Sequence, residues 1–370
     1  MQITFVSNYI NHHQIPVSNE LYKLSDGHYT FIQTEPMEEE RVKMGWDAGA
    51  KDLPYVKLYY EEKETCDKLI LDSDCVIFGG TEKEEIILPR LLKNRFTIRY
   101  SERLYKSGRW KFISPRGLIK KYKDHVRFNK NDLYLLCSGA YVKGDFNLIH
   151  AYPNKKLKYG YFPEFIEYRD LHELRKDEEI IEILWASRFI DWKHPEVPVR
   201  LAQMIKESGL NAHITMIGNG EYFESTKESA SGLESIIDFV GAKTPTEVRE
   251  YMRKADFFLL TSDHKEGWGA VINEAMNSGC VTIASKETGA APYLIKSGVN
   301  GYMVRACHTG DIFKIISDLS NDRRRRLTIG NNAYSTIQNL WSPKVAAKRL
   351  YEFILDKDIN RYSEGPLSRA

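Results

Sequence analysis

Six short apolar runs follow one another through the second half of the chain: IIEILWAS (180–187), AHITMIG (212–218), IIDFVG (236–241), DFFLLTS (256–262), CVTIAS (280–285) and GYMV (301–304). Between them lie stretches with helical spacing, among them HPEVPVRLAQMIKESG (194–209), a run from about Thr244, AVINEAMNSG (270–279) and Ala290 to Ser297. Near-continuous apolar strands separated by helices are the signature of a parallel sheet covered on both faces. The first half repeats the pattern more loosely. QITFVS (2–7), CVIFGG (75–80), FTIRYS (96–101) and LYLLCS (133–138) read as strands, with helical spacing over Gln14–Leu24 and EKEEIILPRLLK (82–93). The segment 35–54 reads as a long loop, and no internal repeat of fixed period is present.

At 370 residues the chain exceeds what one core usually serves, so two domains are expected. A turn-rich, aromatic stretch, AYPNKKLKYGYFPEF, marks the change between them. The reading is an α/β chain of two Rossmann-like parallel-sheet domains: 1–165, a linker 166–178, and 179–340. Such sheets bind ligands at the C-terminal ends of their strands. The tail RYSEGPLSRA is expected to fray. RRRR at 323–326, behind Asp322, reads as a solvated helix start rather than a localisation signal.

The five cysteines are widely spaced and include no C-x-x-C pair, which argues against a disulfide framework or a structural zinc. The opening MQITFVSNYI lacks the basic start and apolar core of a signal peptide, and no apolar run has the length of a membrane span. A soluble cytoplasmic protein is expected. One window departs from the near-neutral whole: residues 90–130 carry fourteen Lys and Arg against only Glu102 and Asp124, interleaved with aromatics. A basic-aromatic surface suits an anionic membrane face. We read the window as peripheral contact with the inner face of the membrane, in preference to a solvated face or a nucleic-acid partner.

Chemistry concentrates on the ends of the second set of strands. In HKEGWGAVINEAMNSG (264–279), Glu266 stands on the connection after a strand, Gly267 and Gly269 free the backbone, and a helix follows. Exposed amides at a helix start favour a phosphate. Glu274, about one turn into that helix, can accept hydrogen bonds from both hydroxyls of a ribose. In WASRFIDWKHP (185–195), Arg188 and Lys193 follow the first strand five residues apart, a natural clamp for a diphosphate. MIGNGE (216–221) and DFVGAKTP (238–245) add glycine turns at two further strand ends.

Together these residues resemble the nucleotide-sugar domain of glycosyltransferase family 4, the retaining enzymes of GT-B architecture. The resemblance covers about 179–356. It rests on Glu266 and Glu274 as the E-x7-E motif, Arg188 and Lys193 after the first strand, the G-x-G turn at Gly218 and Gly220, and the turn Val240–Lys243. It implies two domains facing across a cleft, with the last helical segment, 341–356, crossing back to the first. It further implies that Arg188 and Lys193 hold the donor diphosphate and that Glu266 sits by the transferred sugar. Glu274 would take the ribose, the backbone around Gly267, Gly269, Ala270 and Val271 phosphate or sugar, and Gly218, Asn219, Val240 and Ala242 the rest of the donor.

The chain departs from the family in three places. Tyr293 follows Pro292 where a glutamate is common, Cys280 replaces a common proline, and SNYINHHQIP (7–16) replaces a glycine-rich turn. On the acceptor side His12, His13, Glu102 and Arg103 are candidates. No D-x-D motif stands in a metal-binding context, so neither metal nor cofactor is expected beyond the nucleoside diphosphate sugar. The implied activity is sugar transfer to a glycan or polyprenyl-diphosphate-linked acceptor in cell-surface polysaccharide synthesis. A non-catalytic nucleotide-sugar-binding protein is the alternative, and an inverting enzyme of the same architecture is the rival within the class.

Overall fold

In a computed structural model that describes every residue except 40–48, 50, 51, 82, 107, 109–111 and 176–179, the apolar runs are strands of two parallel sheets. The chain divides into Met1–Glu164 with Leu340–Ala370, and Phe165–Asn339. The first unit holds β1 (Ile3–Ser7), β2 (Tyr29–Gln33), β3 (Val56–Leu58), β4 (Cys75–Phe78), β5 (Thr97–Ser101), β6 (Leu133–Ser138) and β7 (Lys156–Tyr159), in the order β3-β2-β1-β4-β5-β6-β7. Its helices include α1 (Ile15–Leu24), α2 (Lys63–Asp72), α3 (Glu84–Leu92), α4 (Pro115–Asp124) and α5 (Val142–Leu148). The strand order reverses beside β1, which pairs in parallel with β2 on one side and β4 on the other. That topology is Rossmann-like. β1 and β4 are buried along their whole length, as strands covered on both faces must be.

The basic window does not form one surface. Arg90 is fully buried and donates to the carbonyls of Ile70 (2.8 Å), Ser73 (2.9 Å) and Phe96 (2.7 Å), knitting α2, α3 and β5 together. Burial pushes its pKa down to about 10. Arg99 is also buried and pairs with Glu84 at 2.9 Å. Arg109, Trp110 and Lys111 lie outside the described residues. The outward charge gathers instead on α4 and its flanks.

The C-terminal helix, Pro343–Asp356, belongs to this unit; Ser342 caps it, and Phe353 packs edge-on against Phe96 and Tyr134. The tail does not fray, contrary to expectation. Leu367 is buried, its amide donates to the Lys158 carbonyl at 2.8 Å, and the Lys158 amide donates to Ser368 at 2.8 Å. The tail covers the open edge of β7, satisfying backbone groups that an edge strand otherwise leaves exposed.

The second unit holds β8 (Ile181–Ala186), β9 (Ala212–Ile217), β10 (Ile237–Gly241), β11 (Phe257–Leu260), β12 (Val281–Ser285) and β13 (Tyr302–Val304), in the order β10-β9-β8-β11-β12-β13. Its helices are α6 (Glu196–Ser208), α7 (Phe223–Ser229), α8 (Pro245–Lys254), α9 (Val271–Asn277), α10 (Ala291–Leu294), α11 (Thr309–Ser320) and α12 (Arg323–Thr336). Trp185 and Phe189 meet edge to face at 4.9 Å within the apolar core. Residues read as a linker are bound into this unit: Ile166 exchanges hydrogen bonds with Asn277, and Arg175 donates to Ser278 (2.8 Å) and Gly279 (2.5 Å). In the RRRR run, Asp322 caps the helix and three arginines face solvent. Arg326 turns inward to Asp256 at 3.2 Å. No described helix is long and apolar enough to cross a membrane. All five cysteines are free.

Candidate functional site

Because β8, β9, β10 and β11 are parallel neighbours, the connections that follow them emerge on one rim. The G-x-G turn after β9 shows why glycine is needed there. Gly218 (φ 139°) and Gly220 (φ 153°) adopt backbone conformations that L side chains rarely enter. A Cβ on Gly218 would stand 1.8 Å from the Ser187 carbonyl oxygen, and one on Gly220 2.4 Å from that of Phe189. The turn thus lies directly against the backbone carrying Arg188. Exposed Asn219 accepts from the Phe189 amide at 2.9 Å through its carbonyl. Arg188 is exposed, with its guanidinium 5.7 Å from the Trp192 ring centroid. Gly218 also donates to Gly241 at 2.9 Å, joining the turn to the end of β10, where Val240 is half-buried and Ala242 exposed.

Lys193 closes a short 3-10 turn, Asp191–Lys193, that is fastened to the neighbouring loop. Thr261 donates its hydroxyl to the Lys193 carbonyl at 2.5 Å and accepts from the Trp185 indole at 2.8 Å. The Asp263 amide donates to the Trp192 carbonyl at 2.9 Å, and Lys265 pairs with Asp191 at 2.9 Å. Two loops far apart in sequence therefore act as one piece. Lys193 and Glu266, 12% and 16% exposed, form a salt bridge between them. Gly269 (φ 93°) then turns the chain into α9 between Leu260 and Glu266, with Gly267 buried beside it. Among the described residues, the amides of Gly269, Ala270 and Val271 meet no acceptor.

Glu274 points from α9 into a mostly buried position and meets Arg249 of α8 at 3.6 Å. Arg249 in turn donates to Asn277 at 2.8 Å. Burial raises the Glu274 pKa above the usual carboxylate value, and Arg249 opposes the rise. Arg249, Thr261 and Asn277 escaped the sequence reading. A lone arginine on an amphipathic helix and a buried hydroxyl carry no spacing signal.

The first unit gathers another set at the ends of β1, β5 and β7. The rings of His12 and His13 are 3.8 Å apart, and His13 stacks on Tyr161 at 6.1 Å. Tyr161 donates to Glu102 at 2.5 Å, and Glu102 also pairs with Lys106. Tyr161 was hidden in the aromatic stretch read as a boundary. Arg103 is directed inward, to fully buried Asp145 at 3.4 Å, and lies over the Tyr141 ring. As for metals, the ligand atoms of His194, Glu196 and Cys307 lie within 4.8 Å of one another, a set that could hold a divalent ion. Its imidazole is already hydrogen-bonded to Glu196, which raises the His194 pKa.

Residues 167–336 match the family model for Glycosyl transferases group 1. The amylovoran biosynthesis glycosyltransferase AmsK of Erwinia amylovora is 26% identical over 254 residues, 65% of this chain and 61% of that protein. A GDP-mannose-dependent alpha-(1-6)-phosphatidylinositol monomannoside mannosyltransferase of Mycobacterium tuberculosis is 24% identical over 200 residues, 51% of this chain and 52% of that protein. The chain thus spans between half and two thirds of these curated relatives. Among solved structures, Anabaena Alr3699/HepE in complex with UDP superposes with a TM-score of 0.72 at 15% identity, over 96% of this chain and 100% of that one. At that identity the likeness concerns the fold alone, a pair of parallel Rossmann-like sheets. The rim of Arg188, Lys193, Glu266 and Glu274 therefore lies within residues 167–336, the stretch that matches the Glycosyl transferases group 1 model.

Proposed function

We propose that the chain is a retaining glycosyltransferase that moves a sugar from a nucleoside diphosphate donor to a glycan or lipid-linked acceptor in cell-surface polysaccharide synthesis, in the cytoplasm. The observation that carries this reading is the joined pair of loops that sets Lys193 beside Glu266 on the rim shared with Arg188 and the open amides of α9. A diphosphate fits that place by charge and by hydrogen-bond donors. Its arrival competes with Glu266 for the Lys193 ammonium and leaves the carboxylate beside the sugar. UDP in the Anabaena structure and GDP-mannose in the name of the mycobacterial relative support a nucleoside diphosphate sugar.

During transfer the anomeric C–O bond to the diphosphate breaks and a bond to the acceptor oxygen forms on the same face. Charge grows on the departing phosphate oxygen, where Arg188 and Lys193 stabilise it electrostatically. That oxygen takes the acceptor proton, so the step needs no protein base. Preorganised donors of this kind are worth about 10²–10³ in turnover. Lys193→Ala and Arg188→Ala are each expected to lower turnover by about 10²-fold or more in a donor-consumption assay. Unchanged turnover in Lys193→Ala would remove the clamp from the mechanism. A product of inverted anomeric configuration, read by NMR, would contradict retention. Donor binding without transfer across an acceptor panel would favour a binding protein.

A further inference from the structure

We propose that α4 is a membrane-docking helix that lays its apolar face into an anionic bilayer. The proposal goes beyond sugar transfer and does not depend on it. α4 differs from the other described helices of its unit in having no buried residue at all. Ile119 and Tyr122 are 57% and 58% exposed, Leu118 38%, and Ile113, just before the helix, 73%. At 100° per residue, Leu118, Ile119 and Tyr122 share one face, while Arg116, Lys120 and Lys123 share a neighbouring one. All three cations are exposed, and the only acid in the helix is its last residue, Asp124.

The helix is well made and firmly held at one end. Pro115 occupies the first turn and the Ser114 hydroxyl accepts from the Gly117 amide at 3.4 Å. Beyond its C-terminus, His125 hydrogen-bonds the Tyr152 hydroxyl at 2.7 Å and meets Phe146 edge-on at 5.2 Å, and Phe128 is buried in the core. A fixed amphipathic helix with aliphatic residues on one face and lysines beside them matches the boundary between headgroups and acyl chains. The lysines meet anionic headgroups and the aliphatic residues enter below them. A nucleic acid would use the charge and leave Leu118 and Ile119 in water, so the bilayer is the better match.

The test is co-sedimentation of the full chain with vesicles of phosphatidylcholine alone and of phosphatidylcholine mixed with phosphatidylglycerol, at low and high salt. Binding to the anionic vesicles is expected to be about 10-fold stronger or more and to fall with salt. Ile119→Ser with Tyr122→Ser, and separately Lys120→Glu with Lys123→Glu, should each lower that binding about 10-fold. Both pairs should leave the melting temperature and donor turnover unchanged, because the side chains are exposed. No binding at low salt, equal binding to both vesicles, or variants that bind like the parent would overturn the proposal. Tight binding of single-stranded RNA with no vesicle binding would overturn it in favour of a nucleic-acid surface.

Discussion

Glu274 illustrates how a carboxylate is accommodated inside a fold. Burial favours its neutral form, and Arg249 supplies the opposing charge. Asn277 fixes Arg249 and is itself fixed by the backbone of Ile166, so the carboxylate that we propose for the ribose is oriented through a chain of three residues. The ionised form is the one that accepts from ribose hydroxyls. Nucleotide affinity should therefore hold above the raised pKa and decline as pH falls through it. Arg249→Met removes the charge that restrains the rise, so the decline should begin at a higher pH. Affinity at neutral pH should fall about 10-fold, equivalent to one pKa unit of lost differential interaction. Calorimetric titration with a nucleoside diphosphate across pH measures both effects. An unchanged pH profile would separate Arg249 from the site.

Among elements, the edge of the second sheet carries its own pH dependence. His213 on β9 lies between Glu182 on β8, at 3.6 Å, and Asp238 on β10, at 3.3 Å. The close approach of Glu182 foremost, and then of Asp238, raises its pKa. The stabilisation from a raised imidazole is complete below the unfolded value of about 6.5 and disappears as pH rises through the folded value. His213→Gln should cost about 0.5 kcal/mol near pH 5.5 and almost nothing near pH 9, by denaturant titration. An equal cost at both would contradict the linkage. The same elements show what the sequence discloses. β8, β9, β11 and β12 are apolar runs that no other element explains as well. β7 escapes because Lys156 and Lys158 alternate with buried Leu157 and Tyr159 inside a turn-rich stretch. β3 has only three residues.

For the whole molecule, two Rossmann-like sheets were legible from the alternation of runs, and the rim of the second from its glycines, its paired glutamates and its two cations. The inward turn of Arg90, Arg99 and Arg103 was not legible, because a count of charges carries no direction. Nor was the docking of the tail on β7, which depends on an edge that the first half of the chain creates. The proposed clamp of Arg188 and Lys193 on a nucleoside diphosphate decides how the rim works. Its most direct test is calorimetric titration of the full chain with the five common nucleoside diphosphates, beside the Arg188→Ala/Lys193→Ala double variant. We expect at least one to bind one-to-one and the double variant to bind it about 10²-fold more weakly, as for the loss of two charge-assisted contacts. Failure of all five to bind, or a double variant that binds as tightly as the parent, would rule out the clamp.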